Sequence, residues 1–394
     1  MRLAAQGCLA LLAAAALVFP AHLWAQEEVV GERVVTESPP IVGGAVGEPI
    51  WEEGFEEGEF SEDGGPAPVA SSEAWVQRGL WYTQQDVVVL GRARNLKRFL
   101  SGKTNSDEIM TTASATLGFT PGTRLTLGRL LGSDDRNRDY SMEFTFYGLF
   151  QFDGASQLNS TPGSTENQIR LIPDVNYPGF NFDEFHAAQY QADFNSYELN
   201  FFRIDRLGRD RMLMSPDGSW VREANPRFVN TFMLGLRYIR VNEGYQFIAR
   251  GPNPEILSGD YFVRTHNDLV GPQFGYDFSS QHGFWRFGML GKIAGLVNFA
   301  DQRSLVHIVA TNAPPDRDER AACQNLTFMV ETNIHAEYML RTNCKLRTSW
   351  DFIYLQGIAT ANSQITFNPV TPPQIMTSDY VIATGLSFGF ELAW

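Results

Sequence analysis

DYVIATGLSFGFELAW, Asp379 to Trp394, closes the chain, and its alternation decides the fold. Every second residue gives Tyr380, Ile382, Thr384, Leu386, Phe388, Phe390, Leu392 and Trp394 on one face. The other face holds Val381, Ala383, Gly385, Ser387, Gly389, Glu391 and Ala393. A period of two is a strand. A soluble sheet would need a second layer to cover the large face, whereas in a bilayer the lipid covers it. Only a closed barrel pairs every strand on both sides, as hydrocarbon demands. The stretch therefore reads as the closing strand of a transmembrane antiparallel up-and-down β-barrel, large residues outward and small or polar ones to the lumen.

Working outward, the same alternation recurs from Trp81 on, broken by turn signals. It predicts about twelve strands: Trp81 to Leu90, Thr111 to Phe119, Arg124 to Leu131, Tyr140 to Asp153, Tyr190 to Arg203, Phe228 to Val241, Tyr245 to Arg250, Tyr261 to Phe278, Gly283 to Phe299, Leu326 to Arg341, Cys344 to Ile358 and Tyr380 to Trp394. With both termini periplasmic, the short connections are 121–122, 242–244, 279–282 and 342–343. The long ones, 91–110, 132–139, 204–227, 251–260, 300–325 and 359–379, are expected outside. Short periplasmic turns and an even strand count are the rule for such barrels. Residues 154–189 break the rule on the periplasmic side, and they are expected to fold back as a plug or a periplasmic cap.

The faces carry matching chemistry. Trp285, Phe287, Met289, Ile293, Val297 and Phe299 alternate with Arg286, Gly288, Lys292 and Asn298; Phe144, Phe146, Phe150 and Phe152 alternate with Glu143, Thr145, Gln151 and Asp153. At Gly271-Pro272 the parity of apolar residues slips, which predicts a β-bulge there. The charged parity predicts a lumen lined by Glu143, Glu198, Arg237, Arg264, Asp268, Arg286, Lys292, Glu331, Glu337, Lys345, Arg347, Asp351 and Glu391. With both signs near balance they would line an aqueous constriction, or pair across strands and close it.

Ahead of the barrel lie two other segments. Residues 1–25 hold one basic residue, Arg2, an apolar run from Cys8 to Phe19 too short to span a bilayer, and a cleavage signal at Leu23-Trp24-Ala25. That is a secretory signal peptide, with the mature chain starting at Gln26. Residues 26–74 follow as an acidic tail: thirteen acidic residues against Arg33 alone carry twelve of the chain's fourteen net negative charges. So high a charge with so little apolar content predicts disorder, a solvated linker or a contact for a basic partner. The barrel proper is expected over residues 75–394. Cys323 and Cys344 bracket a strand whose ends are beyond disulfide reach, so free thiols or an intermolecular bridge are expected.

GTRLTLGRLL, SYELNFF, FMLGLRYIRVNEGYQF, NDLVGPQFGYDF and ETNIHAEYMLRTNCKLRTSWDFIYLQGIA, with the terminal aromatic strand, resemble the β-barrel porins of planctomycetes over roughly residues 75–394. The resemblance implies an outer-membrane location and supplies neither substrate nor catalytic residues. Phe388, Phe390 and Trp394 also resemble the C-terminal signal by which bacterial outer-membrane barrels are recognised for assembly.

Chemistry is otherwise sparse. Gly385-Leu386-Ser387-Phe388-Gly389 fits G-x-S-x-G, yet it lies inside a strand and no His follows, so the nucleophile elbow is not expected. His186, His266, His282, His307 and His335 show no metal-ligand spacing; His266 with Asp268, and His335 with Glu337, read as polar lumen lining. The leading reading is a porin-like passive channel for small hydrophilic solutes, not an enzyme and with no cofactor. Its rivals are a closed structural or anchoring barrel that works through its acidic tail and outer loops, and an outer-membrane hydrolase with Ser387 or a His on the wall. The partners expected are outer-membrane lipids and the barrel-assembly machinery, with a homo-oligomer left open and nucleic acid excluded.

Overall fold

A computed structural model describes residues 81–394, apart from 94–97, 104–106, 108, 134–137, 161–167, 173–178, 208–210, 215–219, 224–227, 254, 256, 311–312, 314, 342 and 368–373. The signal-peptide and acidic-tail expectations fall outside the described residues.

Ten antiparallel strands close into a barrel: β1 (Trp81–Ala93), β4 (Phe119–Ser133), β5 (Arg138–Asn159), β7 (Phe185–Leu207), β10 (Phe228–Arg250), β11 (Ser258–His282), β12 (Trp285–Val309), β13 (Arg317–Arg341), β14 (Cys344–Ile358) and β15 (Asp379–Ala393). The short strands are β2 (Phe99–Lys103), β3 (Ile109–Thr111), β6 (Ile169–Leu171), β8 (Arg211–Met214) and β9 (Trp220–Glu223). The terminal stretch behaves as its alternation predicts. β15 pairs β14 on one side and β1 on the other, and so closes the ring.

The count falls from about twelve to ten for two reasons. Thr111 to Phe119 is mostly a turn and an irregular run, with β4 starting only at its end. Phe228 to Val241 and Tyr245 to Arg250 are one strand, because Asn242-Glu243-Gly244, expected as a turn, stays extended and paired with both neighbours. Two errors preserve the even number but move several connections to the other end. Pro121-Gly122 is inside β4, and the short link 134–137 and the longer 208–227, both expected outside, join strands at the end that holds the termini. At the opposite end the connections are 94–118, 160–184, 251–257, 310–316 and 359–378. The two ends of 154–189 are therefore strand, belonging to β5 and β7, and the segment between them lies at the far end, opposite the termini.

The expected bulge at Gly271-Pro272 is absent. Residue pairing between β11 and β12 keeps the same register on both sides of it, and Val263, Leu269, Gln273 and Ser279 are all buried on one parity. What changes along β11 is which face is apolar. The true bulge is in β5, where register shifts between Tyr147 and Phe150 and Leu149 takes φ 65°. It turns Phe150 and Phe152 inward while Phe144 stays outside, correcting the single face expected for them. Other shifts lie between Leu130 and Gly132 and between Met339 and Arg341, and one at Gly357, with φ 93°, ends β14.

Candidate functional site: the lumen

Near the termini the lumen is ionic. At the rim Lys345 Nζ donates to Glu391 at 2.7 Å, and the Tyr82 hydroxyl donates to Glu143. One level deeper, Arg347 donates to Gln84 at 2.8 Å, and Arg286 lies 3.5 Å from Asp277 and 3.8 Å from Glu337. Below that sits a four-member cluster. Arg237 reaches Glu331 at 2.6 Å and Glu198 at 3.3 Å, while Lys292 holds the same two carboxylates at 3.2 and 3.0 Å. Arg124 joins Asp351 at 2.6 Å and Asp86 at 3.4 Å.

Several of these pairs cross the barrel and do not run along its wall. Arg237 on β10 meets Glu331 on β13, three strands away, and Arg124 on β4 meets Asp351 on β14 across two intervening strands. A ten-stranded barrel is only slightly wider than the eight-stranded kind that side chains fill, so a long arginine can span it. The charged groups are thus mutual partners more than the lining of a free aqueous path.

Past the cluster several strands change character at one level. Asp86 gives way to Val88 and Leu90, Arg237 to Ile239 and Val241, Glu331 to Met329, and Asp351 to Ile353 and Leu355, all buried. Polar groups interrupt the layer: Asn267 donates to the Ala359 carbonyl at 2.8 Å and accepts from Asn298 at 3.1 Å, and a second knot forms around Glu243. Glu243, fully buried, accepts from Arg92 across the lumen, from the Tyr190 hydroxyl at 2.6 Å and from the Ala361 backbone N–H at 2.8 Å. Ala361 belongs to a single 3-10 turn, Ala361–Gln364, whose four residues are all buried. Glu243 therefore ties the segment between β14 and β15 to two walls.

The far-end segments fill what remains. β3, β2 and β6 form a small sheet from the 94–118 and 160–184 connections, and Leu100, Met110, Ile169 and Leu171 on it are buried. Phe180 stacks on Phe247 at 5.8 Å, and Phe367 packs against Tyr261 at 5.4 Å. A Cβ at Gly154 would lie 2.4 Å from the Thr116 carbonyl, which is how closely the first connection approaches β5. Beneath the 160–184 segment His186 Nε2 lies 2.9 Å from Asp183 Oδ2, and burial raises the Asp183 carboxyl above its ordinary range. So the expected plug exists, but it enters from the far end and is built from three connections.

Of the residues expected in the lumen, Glu143, Glu198, Arg237, Arg286, Lys292, Glu331, Glu337, Lys345, Arg347, Asp351 and Glu391 face inward. Arg264 and Asp268 do not. Arg264 is exposed on the outer wall, and Asp268 is bound there by Arg240 at 2.9 Å and Tyr238 at 2.6 Å. Their parity was right for a polar residue inside a membrane belt, but they lie beyond the belt, where polar means outside. His266, read as lumen lining with Asp268, is exposed on the same wall, whereas His335 is buried inside, 3.8 Å from Asp277. Asp86, Arg92, Arg124 and Glu243 were missed. Glu243 was hidden by the turn-like Asn-Glu-Gly, although unbroken odd-numbered alternation from Val229 to Ala249 carries its signal.

Ser387 is buried in β15 with its Oγ 2.5 Å from Ser349 Oγ, and the strand continues through it without the sharp turn a nucleophile needs. Cys323 and Cys344 are both free thiols.

No protein-family model matches the chain, nor does any curated protein. Among solved structures it is similar to the Pseudomonas putida toluene transporter TodX, at 8% identity over 83% of this chain and 92% of that one, with a TM-score of 0.27. A deltaS2 mutant of the TodX monoaromatic hydrocarbon channel gives 9% identity over 82% and 92%, also at 0.27. The anion-selective porin of Comamonas acidovorans gives 12% identity over 80% and 98%, at 0.15. At these scores fold and function rest on the chain itself.

Proposed function

We propose that this chain is an outer-membrane β-barrel channel, porin-like in its wall chemistry, whose lumen is shut at rest and which passes small hydrophilic solutes when the far-end segments withdraw. One observation carries the reading: the Arg237–Glu198–Lys292–Glu331 cluster lies inside the barrel at the level where the outer wall is apolar. Exposed Leu234, Leu236, Phe274, Ile293 and Phe328 form that outer belt. Buried ion pairs are poor stabilisers compared with apolar packing, and ionisable groups at membrane depth mark solute or ion paths. A barrel that needed only filling could have continued the apolar packing of its own far half.

The cross-lumen pairs and the three inward segments favour a second reading, a permanently closed structural barrel. In either case the C-terminal Phe388, Phe390 and Trp394 would present the assembly signal, the lipids of the outer membrane would be the standing partners, and no cofactor is needed. Planar-bilayer conductance of residues 26–394 separates the two. The channel reading expects brief, infrequent steps from the wild type, and steady, salt-dependent steps once residues 361–376 are deleted. Inserted, heat-modifiable barrels that stay silent in both forms would establish the structural reading.

A further inference from the structure

The outer wall beyond the apolar belt holds three arginines side by side. Arg264 on β11 is directly opposite Arg303 on β12, which is directly opposite Arg320 on β13. Like charges facing one another across strands destabilise a sheet. The local acids offset this only in part. Asp318 accepts from Arg303 at 2.9 and 2.8 Å and lies 4.0 Å from Arg320; Asp301 shares the wall two residues from Arg303 and has no ion pair among the described residues. Arg264 has no ion pair among the described residues, and its guanidinium lies 4.7 Å over the Phe262 ring. Nearby His266 is 2.9 Å from Asn242. The row borders an open groove of about 660 Å³ with an apolar floor from Phe262, Leu305 and Ala322.

Height identifies what could fill it. On β12 the last exposed large apolar residue is Phe299, four residues before Arg303, and beyond it the half-buried Leu305 of the groove floor follows on that face; on β13 the last exposed one is Leu326, six from Arg320. With roughly 3.3 Å per residue and the usual tilt, the row stands about 10–15 Å above the belt. The headgroup layer of an ordinary phospholipid leaflet is only about 5–8 Å thick. A phosphate that reaches the row must be carried on a taller, sugar-based headgroup.

We propose that this groove binds the phosphates of a phosphorylated glycolipid in the leaflet at the long-connection end, with Arg264, Arg303 and Arg320 as the anion ligands and Phe262 and Leu305 against the sugar. The site rests on the membrane reading above. It gives a partner to Arg264, which has no ion pair among the described residues, and to a row whose local acids offset its charge only in part.

The test is native mass spectrometry of the refolded full chain in detergent, titrated with a phosphorylated lipid A–core glycolipid, the same glycolipid after phosphatase treatment, phosphatidylglycerol and inorganic phosphate. The phosphorylated glycolipid should bind at least tenfold more tightly than its dephosphorylated form or phosphatidylglycerol, with inorganic phosphate a weak competitor. R264Q/R303Q/R320Q should lose at least tenfold, and R264Q alone several-fold, with unchanged heat-modifiable mobility as the check on folding. Equal binding of the dephosphorylated lipid, full displacement by equimolar inorganic phosphate, or an indifferent triple variant would each overturn the site. A refolded chain that cannot enter bilayers at all would instead overturn the membrane reading, and this proposal with it.

Discussion

The two halves of the barrel are built on opposite plans. In the half that holds the termini, the outer wall is apolar and aromatic while the lumen holds crossed ion pairs. In the far half the wall carries Arg240, Asp268, Asp301, Arg303 and Gln324, while the lumen holds Ile239, Val241, Tyr245, Phe247 and Met329. The same strands run through both, with unbroken parity in β10 to β13. On the membrane reading proposed above, the change is one of solvent. Where lipid stands outside, polar groups must go in; where water stands outside, the strand reverts to the pattern of a soluble barrel and apolar groups go in.

Substitutions that should be costly in one half and harmless in the other test this contrast. The largest effect is expected from Glu331→Ala, which leaves the buried Arg237 and the partly buried Lys292 to share Glu198 alone and should cost about 3–5 kcal/mol; unfolding by guanidinium in lipid vesicles reads it. Phe247→Ala, inside the far half, should cost about 3–5 kcal/mol as a core truncation, whereas Phe388→Ala on the lipid face should cost clearly less by the same assay. Leu234→Arg, in the belt, should lose about 2–4 kcal/mol, and Gln246→Arg, on the same face of β10 but beyond it, should stay within about 0.5 kcal/mol. A matching loss at both would mean that one medium surrounds the whole wall. The smallest effect is expected at Asp318→Asn, which removes an exposed partner of Arg303 and should leave unfolding unchanged within error.

How far the sequence could be read follows from the same contrast. Alternation alone revealed a barrel, its closing strand and most lumen-facing charges, because in the belt half polarity and direction coincide. Beyond the belt the link inverts. Val263 and Leu269 then looked like lipid-facing residues out of register, so a bulge was inferred at Gly271-Pro272 and Arg264 and Asp268 were placed inside. The real bulge, at Leu149, was masked because Phe144, Phe146, Phe150 and Phe152 keep one parity while changing sides. Glu243 was lost to a turn-like triplet, since local turn preference cannot report that both neighbouring strands continue to pair with it. The plug was legible only as an over-long connection, 154–189, assigned to the wrong end, and its other two segments were not seen as parts of it at all. Its contacts join residues far apart in the chain, such as Ala361 with Glu243 and Phe180 with Phe247.

The measurement that tests this account most directly is a spin label walked along the outward face of β12, at Met289, Ile293, Val297, Asp301, Arg303 and His307, in vesicles, with Cys323 and Cys344 replaced by Ser. Collision rates with oxygen and with a water-soluble nickel chelate report lipid and water at each position. The account predicts oxygen-dominated collisions through Val297 and a crossover to the nickel reagent from Asp301 onward. Nickel accessibility at every position would mean a barrel in water throughout, and oxygen dominance as far as His307 would mean that lipid covers both halves; either would contradict it.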